Sequence, residues 1–274
     1  MQEIGSTLEL QSALAGRSGR VGLVPLTFDL HEGHLSMVTR ARAENAIVVA
    51  SMASQNNYGL NHLEVRYPRD AARDRALLHE AGVDLLYNVG AFPRPGACWV
   101  EVDGLSRCWE GVRYPRHFRM VATTLCKLLI AIDPSDIYLG EKDYQQVRVI
   151  TELARDFFPK LRVNVCATVR DTDGLALSAR SIELSPDSRK RAAGIFKALA
   201  GAQELVAAGE RDSARLCAAM IGELDRHGLR PDYVAVVDAQ TLAPLVVVDR
   251  DARALIAAFL DGLRLTDNIG LSLQ

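Results

Sequence analysis

Short, mainly apolar runs recur along the first two thirds of the chain, over 21–26, 46–52, 83–89, 137–139 and 163–168. Runs of this length, rich in β-branched residues, are typical of parallel strands that are covered on both faces. Helical periodicity between the first two runs predicts a βαβ unit with a right-handed crossover. Ligands in such sheets bind at the carboxyl ends of the strands, so the loops after the strands are the first places to search for a site.

Helical patterns lie between these strands. A short leading helix is predicted over Ser6–Leu14, with Ser6 as its cap, and a second helix follows Asp70, which is in position to cap it. The strongest amphipathic pattern, His117–Ile132, predicts a helix packed on the core. Residues 90–116 are rich in Pro and Gly and predict a β-hairpin or an irregular excursion of the chain.

The pattern changes in the last third of the chain. Ser185-Pro186 is typical of a helix start, with Ser as cap and Pro at the first helical position. A helix and two strands are predicted beyond it, over 213–227, 233–237 and 245–248. The segment Arg253–Phe259 fits either a strand or a helix. We therefore predict an α/β fold with a Rossmann-like, parallel-sheet domain over 1–183 and a small C-terminal α+β lid domain over 184–274.

Composition narrows the class of protein. The chain has 274 residues, 49% of them hydrophobic, and a formal net charge of −2. This charge gives no reason to expect a nucleic-acid partner, and no apolar run is long enough to predict a membrane span. The first residues are acidic and lack the features of a signal peptide. The five cysteines are scattered, which is typical of reduced thiols, so we expect a cytoplasmic protein.

The main candidate site follows the first strand, in the segment Leu30-His31-Glu-Gly-His34. Helical spacing begins at this segment, so both histidines are expected at a helix N-terminus, where unpaired N–H groups and the helix dipole favour phosphate. Gly33 lets a ligand approach the backbone closely. Two alternatives stay open: the histidines could share a metal ion, or they could be ordinary surface imidazoles. No Cys or acidic cluster nearby would complete a metal site.

Three further features are candidates for chemistry. Gly140 ends a strand and Lys142 and Asp143 open the next helix, where a lysine suits a phosphate and an aspartate suits ribose hydroxyls. These charges could equally belong to an ordinary helix start. The polar loop over 53–61 is a candidate binding loop. Asp29 either caps the histidine-bearing helix or meets a positive charge on a substrate.

Several motifs together resemble the pantothenate synthetase (pantoate–β-alanine ligase) family of the nucleotidyltransferase superfamily. The main three are His31-Glu-Gly-His34, Gly140-Glu-Lys-Asp-Tyr-Gln-Gln146 and Asp173-Gly-Leu-Ala-Leu-Ser178-Ala-Arg180, in the order and at the spacing of that family. Shorter matches lie at Tyr67-Pro-Arg69, His117-Phe-Arg119, Asp232–Asp238 and Asp267-Asn-Ile269. The resemblance covers essentially the whole chain.

The resemblance implies an ATP- and Mg²⁺-dependent ligase. A carboxylate attacks the α-phosphorus of ATP, pyrophosphate leaves, and an amine converts the acyl-adenylate to an amide and AMP. The implied catalytic residues are His31, His34, Lys142, Ser178 and Arg180. The resemblance also implies that small acid and amine substrates are the partners and that the chain forms a homodimer.

The same resemblance assigns binding roles to further residues. Those assigned to the nucleotide, besides the catalytic residues, are Pro25, Thr27, Gly33, Gly140, Asp143 and Val169. Those assigned to the acid or amine are Thr27, Asp29, Gln55, Tyr58 and Gln146. Asp74 is the candidate carboxylate for Mg²⁺.

The chain also departs from the family pattern. Thr27-Phe-Asp29 stands where the family has Met-Gly-Ala, Tyr58 and Gln55 replace a glutamine and an asparagine, and Ser178-Ala179-Arg180 replaces Ser-Ser-Arg. Because a lost hydrogen bond in a buried site costs about 1–3 kcal/mol, these changes predict an altered acid, amine or both. The alternatives are a genuine pantoate–β-alanine ligase, an inactive nucleotide-binding protein, and an enzyme that stops at the adenylate or transfers AMP.

Overall fold

The computed structural model describes residues 1–27, 29–53, 70–90 and 97–273. These residues form two units: Met1–Glu141 with Gln145–Ala167, and Lys142–Tyr144 with Thr168–Gln274. The domain limit predicted from the sequence, after residue 183, stays a prediction. The two units divide earlier, at Thr168, and the short segment 142–144 packs with the second unit.

The first unit is built on a parallel sheet, as the apolar runs predicted. Its strands are β1 (Gln2–Ile4), β2 (Val21–Thr27), β3 (Ile47–Ala53), β4 (Leu85–Asn88), β5 (Asp136–Gly140) and β6 (Arg162–Cys166). Their order is β1-β4-β3-β2-β5-β6, and every pair is parallel. The edge strand β1 has three residues, too few for a periodic signal, and was missed in the sequence.

Helices surround this sheet. They are α1 (Thr7–Ala15), α2 (Glu32–Glu44), α3 (Ala71–Glu80), α4 (Glu110–Arg113), α5 (His117–Ile132) and α6 (Tyr144–Phe157). Ser6 accepts the N–H of Glu9 and Asp70 accepts that of Arg73, so both predicted caps are confirmed. The predicted helix His117–Ile132 is also confirmed, with its apolar stripe buried.

Strand β2 continues past Pro25. A proline has no N–H, so the sequence favours a strand that frays or ends there, but the strand pairs with β3 as far as Thr27. Its pairing with β5 stops at Leu23, so the missing N–H of Pro25 lies beyond that ladder. Residues 97–116, the larger described part of the segment 90–116, contain no strand and form turns and α4. The hairpin alternative was therefore wrong for these residues, and the excursion describes them.

The second unit pairs an antiparallel sheet with helices. Its elements are α7 (Pro186–Ala192), α8 (Gly194–Ala207), α9 (Ser213–Arg226), β7 (Arg230–Asp238), β8 (Ala252–Leu260) and β9 (Leu263–Leu271). Buried side chains of α8 and α9 pack on the sheet, which has the order β7-β8-β9. Asp261 and Gly262 join β8 to β9 with φ of 49° and 85°, the positive values that a tight two-residue hairpin needs.

The structure tests the helix and the strands that the sequence predicted in this unit. The predicted helix over 213–227 and strand over 233–237 are confirmed, and Arg253–Phe259 lies in a strand. The predicted strand over 245–248 was wrong, because that segment makes one isolated bridge, between Val247 and Asp212. Val246 is 84% exposed, whereas Val248 is buried in the core of this unit without belonging to a strand.

Candidate functional site

The strand order of the first unit locates its ligand-binding edge. From β2 the chain adds β3 and β4 on one side, and it then adds β5 and β6 on the other side of β2. The order in which strands are added therefore reverses between β2 and β5. Ligands of open parallel sheets bind outside the carboxyl ends of the strands at such a switch point. The chain leaves β2 into the histidine segment and leaves β5 into Glu141.

His31 and His34 form the start of α2, as predicted. His31 is the N-cap, and its Nδ1 accepts the N–H of Gly33 at 3.2 Å. The Nδ1 of His34 accepts the N–H of His31 at 3.4 Å, so the two residues form a reciprocal capping box. The rings lie with their centroids 4.0 Å apart. Side chains therefore satisfy two of the N–H groups that a helix start leaves unpaired.

This capping box selects a tautomer for both imidazoles. A nitrogen that accepts a hydrogen bond carries no proton, so in each neutral ring the proton lies on Nε2. Each histidine thus presents an Nε2–H donor, which suits a phosphate oxygen. The described residues contain no group of three or more His, Cys, Asp or Glu that could hold a metal ion.

Asp74 has a role different from the Mg²⁺ ligand suggested by the sequence. Its side chain is 2% exposed, and its two oxygens accept the backbone N–H groups of Asp29 at 2.9 Å and Leu30 at 3.1 Å. Arg73 adds a third hydrogen bond to this loop by donating to the carbonyl of Leu30 at 3.2 Å. The geometry therefore favours a structural role for Asp74, in fixing the backbone that enters His31.

Asp29 does not cap α2, because His31 holds that position. Its backbone has φ of 70°, in the left-handed region that Asp, Asn and Gly adopt more readily than other residues. The capping alternative is therefore wrong, and the local conformation gives a separate reason for an aspartate here.

A polar pocket in the second unit contains the other three predicted catalytic residues. Lys142, Ser178 and Arg180 line a pocket together with Thr266 and Asp267, and the pocket measures about 330 Å³ when the space open to solvent is included. The Lys142 side chain is 20% exposed. A lysine, an arginine and a hydroxyl around one pocket are groups that can donate hydrogen bonds to an anion, and a phosphate chain suits this chemistry.

Local hydrogen bonds place Ser178 and Arg180. Ser178 caps the 3₁₀ turn Ala179–Glu183, and its Oγ accepts the N–H of Ser181 at 3.1 Å. Since the oxygen already accepts one bond, its own O–H can be donated to a ligand. Arg180 donates to the carbonyl of Arg264 at 3.2 Å, which ties the guanidinium to β9.

The turn before Ser178 depends on a glycine and on a buried ion pair. Gly174 has φ of 86°, and a Cβ there would lie 2.0 Å from the ring of Phe196, so no other residue fits. Arg170 donates to both carboxylate oxygens of Asp267, at 2.6 and 3.0 Å, and its guanidinium stacks on Phe196. These contacts hold residues 170–176 against β9, which carries Asp267 into the pocket.

The remaining predicted residues have the following positions. Pro25 and Thr27 lie at the end of β2 and Gly140 at the end of β5. Gln146 is partly buried on α6, Asp143 is exposed, and the carbonyl of Val169 accepts the N–H of Leu177. Gln55, Tyr58 and Tyr67–Arg69 lie outside the described residues. Roles of all these residues in binding stay predictions.

Sequence reasoning missed several polar residues around Lys142. Thr266 and Asp267 line the pocket, and the side chain of Asn268 donates to the carbonyl of Lys142 at 2.8 Å. The short Asp267-Asn-Ile269 match was a signal for this segment, but it carried no chemistry. Sequence reasoning also assigned no role to Gln145, although it is adjacent to the predicted Gln146.

The described part of the chain has no helix that is long and apolar enough to cross a membrane. Its parallel sheet, with a histidine capping box at the helix after β2, defines an α/β protein of the nucleotidyltransferase type. This class agrees with the predicted fold.

Comparison with known proteins identifies the family. The model of the pantoate–beta-alanine ligase family matches residues 2–270, and the chain belongs to this family. The pantothenate synthetases of a Roseiflexus species and of Thermus thermophilus are each 41% identical to it, over 98% of this chain and at least 98% of theirs. The family consists of ATP-dependent amide ligases, which fits the predicted AMP-forming ligase.

Solved structures agree. The crystal structure of pantothenate synthetase from T. thermophilus has a TM-score of 0.90 at 42% identity, covering 98% of this chain and 99% of that chain. Pantoate–beta-alanine ligase from Francisella tularensis, in complex with βγ-ATP and β-alanine, has a TM-score of 0.80 at 26% identity, covering 98% and 97%.

These findings do not support the altered-substrate hypothesis. The relatives named above are pantothenate synthetases, and the genuine pantoate–β-alanine ligase, which was an alternative, fits better. Single-residue differences such as Tyr58 did not justify a change of substrate, because a pocket can repack around them. The suggestion that Asp29 meets an extra positive charge on a substrate loses its basis with that hypothesis.

Proposed function

We propose that the chain joins pantoate to β-alanine at the expense of ATP. The observation that carries the proposal is the pocket of Lys142, Ser178 and Arg180 in a chain that the family model covers almost completely. The pantoate carboxylate attacks the α-phosphorus, and pyrophosphate leaves. The β-alanine amine then attacks the adenylate carbonyl, loses a proton and displaces AMP, which leaves pantothenate.

The residues supply charge and hydrogen-bond donors for the first step. Lys142 and Arg180 neutralise the phosphate charge that shifts towards the leaving pyrophosphate, and the Ser178 hydroxyl donates to a phosphate oxygen. His31 and His34 donate from Nε2 to phosphate. Gln146 is proposed to bind pantoate. Preorganised donors of this kind lower the barrier because they need no reorientation during the reaction.

Both cofactor predictions fit the residues present. The cationic pocket suits the ATP phosphates, and Mg²⁺ would add further positive charge there. Since the described residues contain no cluster of three potential ligands, the ion would be held mainly by phosphate oxygens and water, as Mg²⁺ usually is beside nucleotides. A homodimer and a cytoplasmic location stay predictions.

Isotope exchange between pyrophosphate and ATP tests the first step. Exchange should require pantoate, and adding β-alanine should yield pantothenate and AMP in equal amounts. Lys142→Ala should lower the exchange rate about 10²–10³-fold. Lys197→Ala, at an exposed position on α8 of the same unit, is the control and should match the wild type.

Two outcomes would contradict the proposal. Absence of pantoate-dependent exchange would exclude pantoate as the acid. Exchange without consumption of β-alanine would favour the alternative in which the reaction stops at the adenylate.

A further inference from the structure

The backbone of Lys142 is held by the far end of the chain. Asn268 on β9 donates from Nδ2 to the Lys142 carbonyl at 2.8 Å. Asn268 is 5% exposed, so this hydrogen bond is shielded from water. Lys142 sits in the 3₁₀ turn Glu141–Asp143, and its side chain reaches the pocket that Ser178 and Arg180 also line.

The orientation of the Asn268 amide is determined by Arg253. The Arg253 guanidinium donates to Oδ1 of Asn268, and because arginine has no acceptor, the oxygen must face it. The amide nitrogen therefore faces Lys142. The backbone N–H of Asn268 in turn donates to Asp267 at 2.8 Å, so the whole residue is fixed.

The next residues of the same segment are held as well. The Arg253 guanidinium lies 3.7 Å from the centre of the Tyr144 ring, and the Tyr144 hydroxyl donates to the carbonyl of Ala239 at 2.8 Å. The segment 142–144 is thus attached to the sheet at both ends. This attachment explains why it packs with the second unit although its neighbours on both sides belong to the first.

We propose that Asn268 is a positioning residue that holds Lys142 in register with Ser178 and Arg180 for binding of the ATP phosphates. The inference rests on the proposed function, since it assigns Lys142 to those phosphates. A lysine on a flexible stem loses its effect when its backbone moves, and a displacement of about 1 Å can cost about 10²-fold in rate. Asn268 itself does not need to contact a ligand.

The test uses the near-isosteric Asn268→Asp, which keeps an acceptor for Arg253 and replaces the donor with an oxygen that repels the Lys142 carbonyl. Pantoate-dependent exchange should fall about 10–100-fold, with the KM for pantoate unchanged. Asn268→Ala removes the donor without repulsion and should show a smaller loss in the same direction. If Asn268→Asp fails to fold, Asn268→Ala provides the test instead.

Gln203→Glu is the matched control. Gln203 also donates from a side-chain amide to a carbonyl of β9, that of Gly270 at 3.0 Å, but it does not bond Lys142. The same amide-to-carboxylate change should therefore leave the exchange rate at the wild-type level. Thermal unfolding of each variant shows whether the second unit is still folded.

A double-mutant cycle distinguishes positioning from general damage. If Asn268 acts through Lys142, then Asn268→Asp should change the rate little in the K142A background. Equal losses in both backgrounds, or a wild-type rate for Asn268→Asp while K142A is impaired, would overturn the inference.

The inference can fail separately from the proposed function. If the wild type shows no pantoate-dependent exchange, the proposed function fails. The same double-mutant cycle is then measured on the affinity for ATP alone, by calorimetry. Asn268→Asp should weaken ATP binding at least 5-fold when Lys142 is present and leave it unchanged in the K142A background. Equal weakening in both backgrounds would overturn the positioning role.

Discussion

The carboxylate of Asp74 accepts the backbone N–H of Leu30, at 3.1 Å, directly before the first histidine of the site. This contact joins α3 to the loop between β2 and α2, across 44 positions of sequence. It places the backbone of His31 in the extended conformation from which a helix can be capped. A buried aspartate on a neighbouring helix therefore determines where the two imidazoles stand.

Asp74→Asn tests this role. The amide keeps one acceptor but turns an NH₂ group towards a backbone N–H, so we expect a loss of about 1–3 kcal/mol in the free energy of unfolding. The value of kcat should fall because His31 and His34 lose their positions, and the dependence on Mg²⁺ should stay unchanged. Initial rates across a Mg²⁺ titration measure both quantities.

Asp70→Asn is the control for that change. Asp70 lies on the same helix, where it accepts the N–H of Arg73 at 2.9 Å, and asparagine caps a helix about as well as aspartate. This variant should resemble the wild type. If Asp74→Asn instead needs more Mg²⁺ while its kcat recovers at saturation, Asp74 binds the metal after all.

The effect of a substitution at Asp29 should depend on how readily the new residue adopts a left-handed backbone conformation. With φ of 70°, Asp29→Gly and Asp29→Asn should keep the wild-type stability, whereas Asp29→Val should lose about 1–2 kcal/mol through left-handed strain. Chemical denaturation measures these differences. The KM for β-alanine should be the same in Asp29→Asn as in the wild type, and a selective rise would assign the carboxylate to the amine.

Gln145 should act on stability and Gln146 on substrate binding. The Gln145 amide accepts the N–H of Glu110 at 3.1 Å and donates to the carbonyls of Leu105 and Cys108 at 2.7 and 2.8 Å. Gln145→Leu removes these three hydrogen bonds and should cost about 2–3 kcal/mol. Limited proteolysis should then cleave residues 105–110 faster.

The neighbouring Gln146→Leu is the comparison. It should raise the KM for pantoate with little change in unfolding or proteolysis. If the two substitutions have the same effects, their roles are not separate and the assignment of Gln146 to the acid is wrong.

Asp136 should make the first unit sensitive to acid. Burial alone would raise the pKa of this fully buried carboxyl, but hydrogen bonds from Asn164, Arg162 and Arg20 outweigh it and hold the pKa below its ordinary value. Because the folded pKa is the lower one, the stabilisation is complete above the unfolded value of about 4 and is lost as the pH falls through the folded pKa.

Asp136→Asn should therefore lower the free energy of unfolding at pH 7 by about 1–3 kcal/mol, since it removes the charge that accepts hydrogen bonds from the half-exposed Arg20 and Arg162. The difference from the wild type should shrink as the pH falls below about 4. Urea unfolding followed by tryptophan fluorescence measures it, because Trp99 and Trp109, the two tryptophans of the chain, both belong to the first unit. A difference that does not depend on pH would exclude the ionised carboxylate as the cause.

Local sequence features predicted much of this protein. Apolar runs predicted five strands of the parallel sheet, and short polar side chains at Ser6 and Asp70 predicted where helices begin. The position of His31 and His34 at a helix start was also readable, since the apolar spacing changes there. These signals are reliable because a strand or helix cap depends on a few neighbouring residues.

Contacts between distant parts of the chain were decided only by the tertiary structure. In the sequence, Asp74 has the pattern of an exposed acidic residue in the first turn of a helix, and only the packing of α3 beside Leu30 gives it a buried role. Asn268 lies 126 positions from Lys142, whose carbonyl it holds. The strand predicted over 245–248 failed for the same reason, because an apolar run becomes a strand only where a partner strand is available. The sequence by itself determined the family and the parallel sheet, and it singled out the residues that we propose bind phosphate. Which buried side chains position those residues depended on packing, because a hydrogen bond between remote residues leaves no periodic pattern.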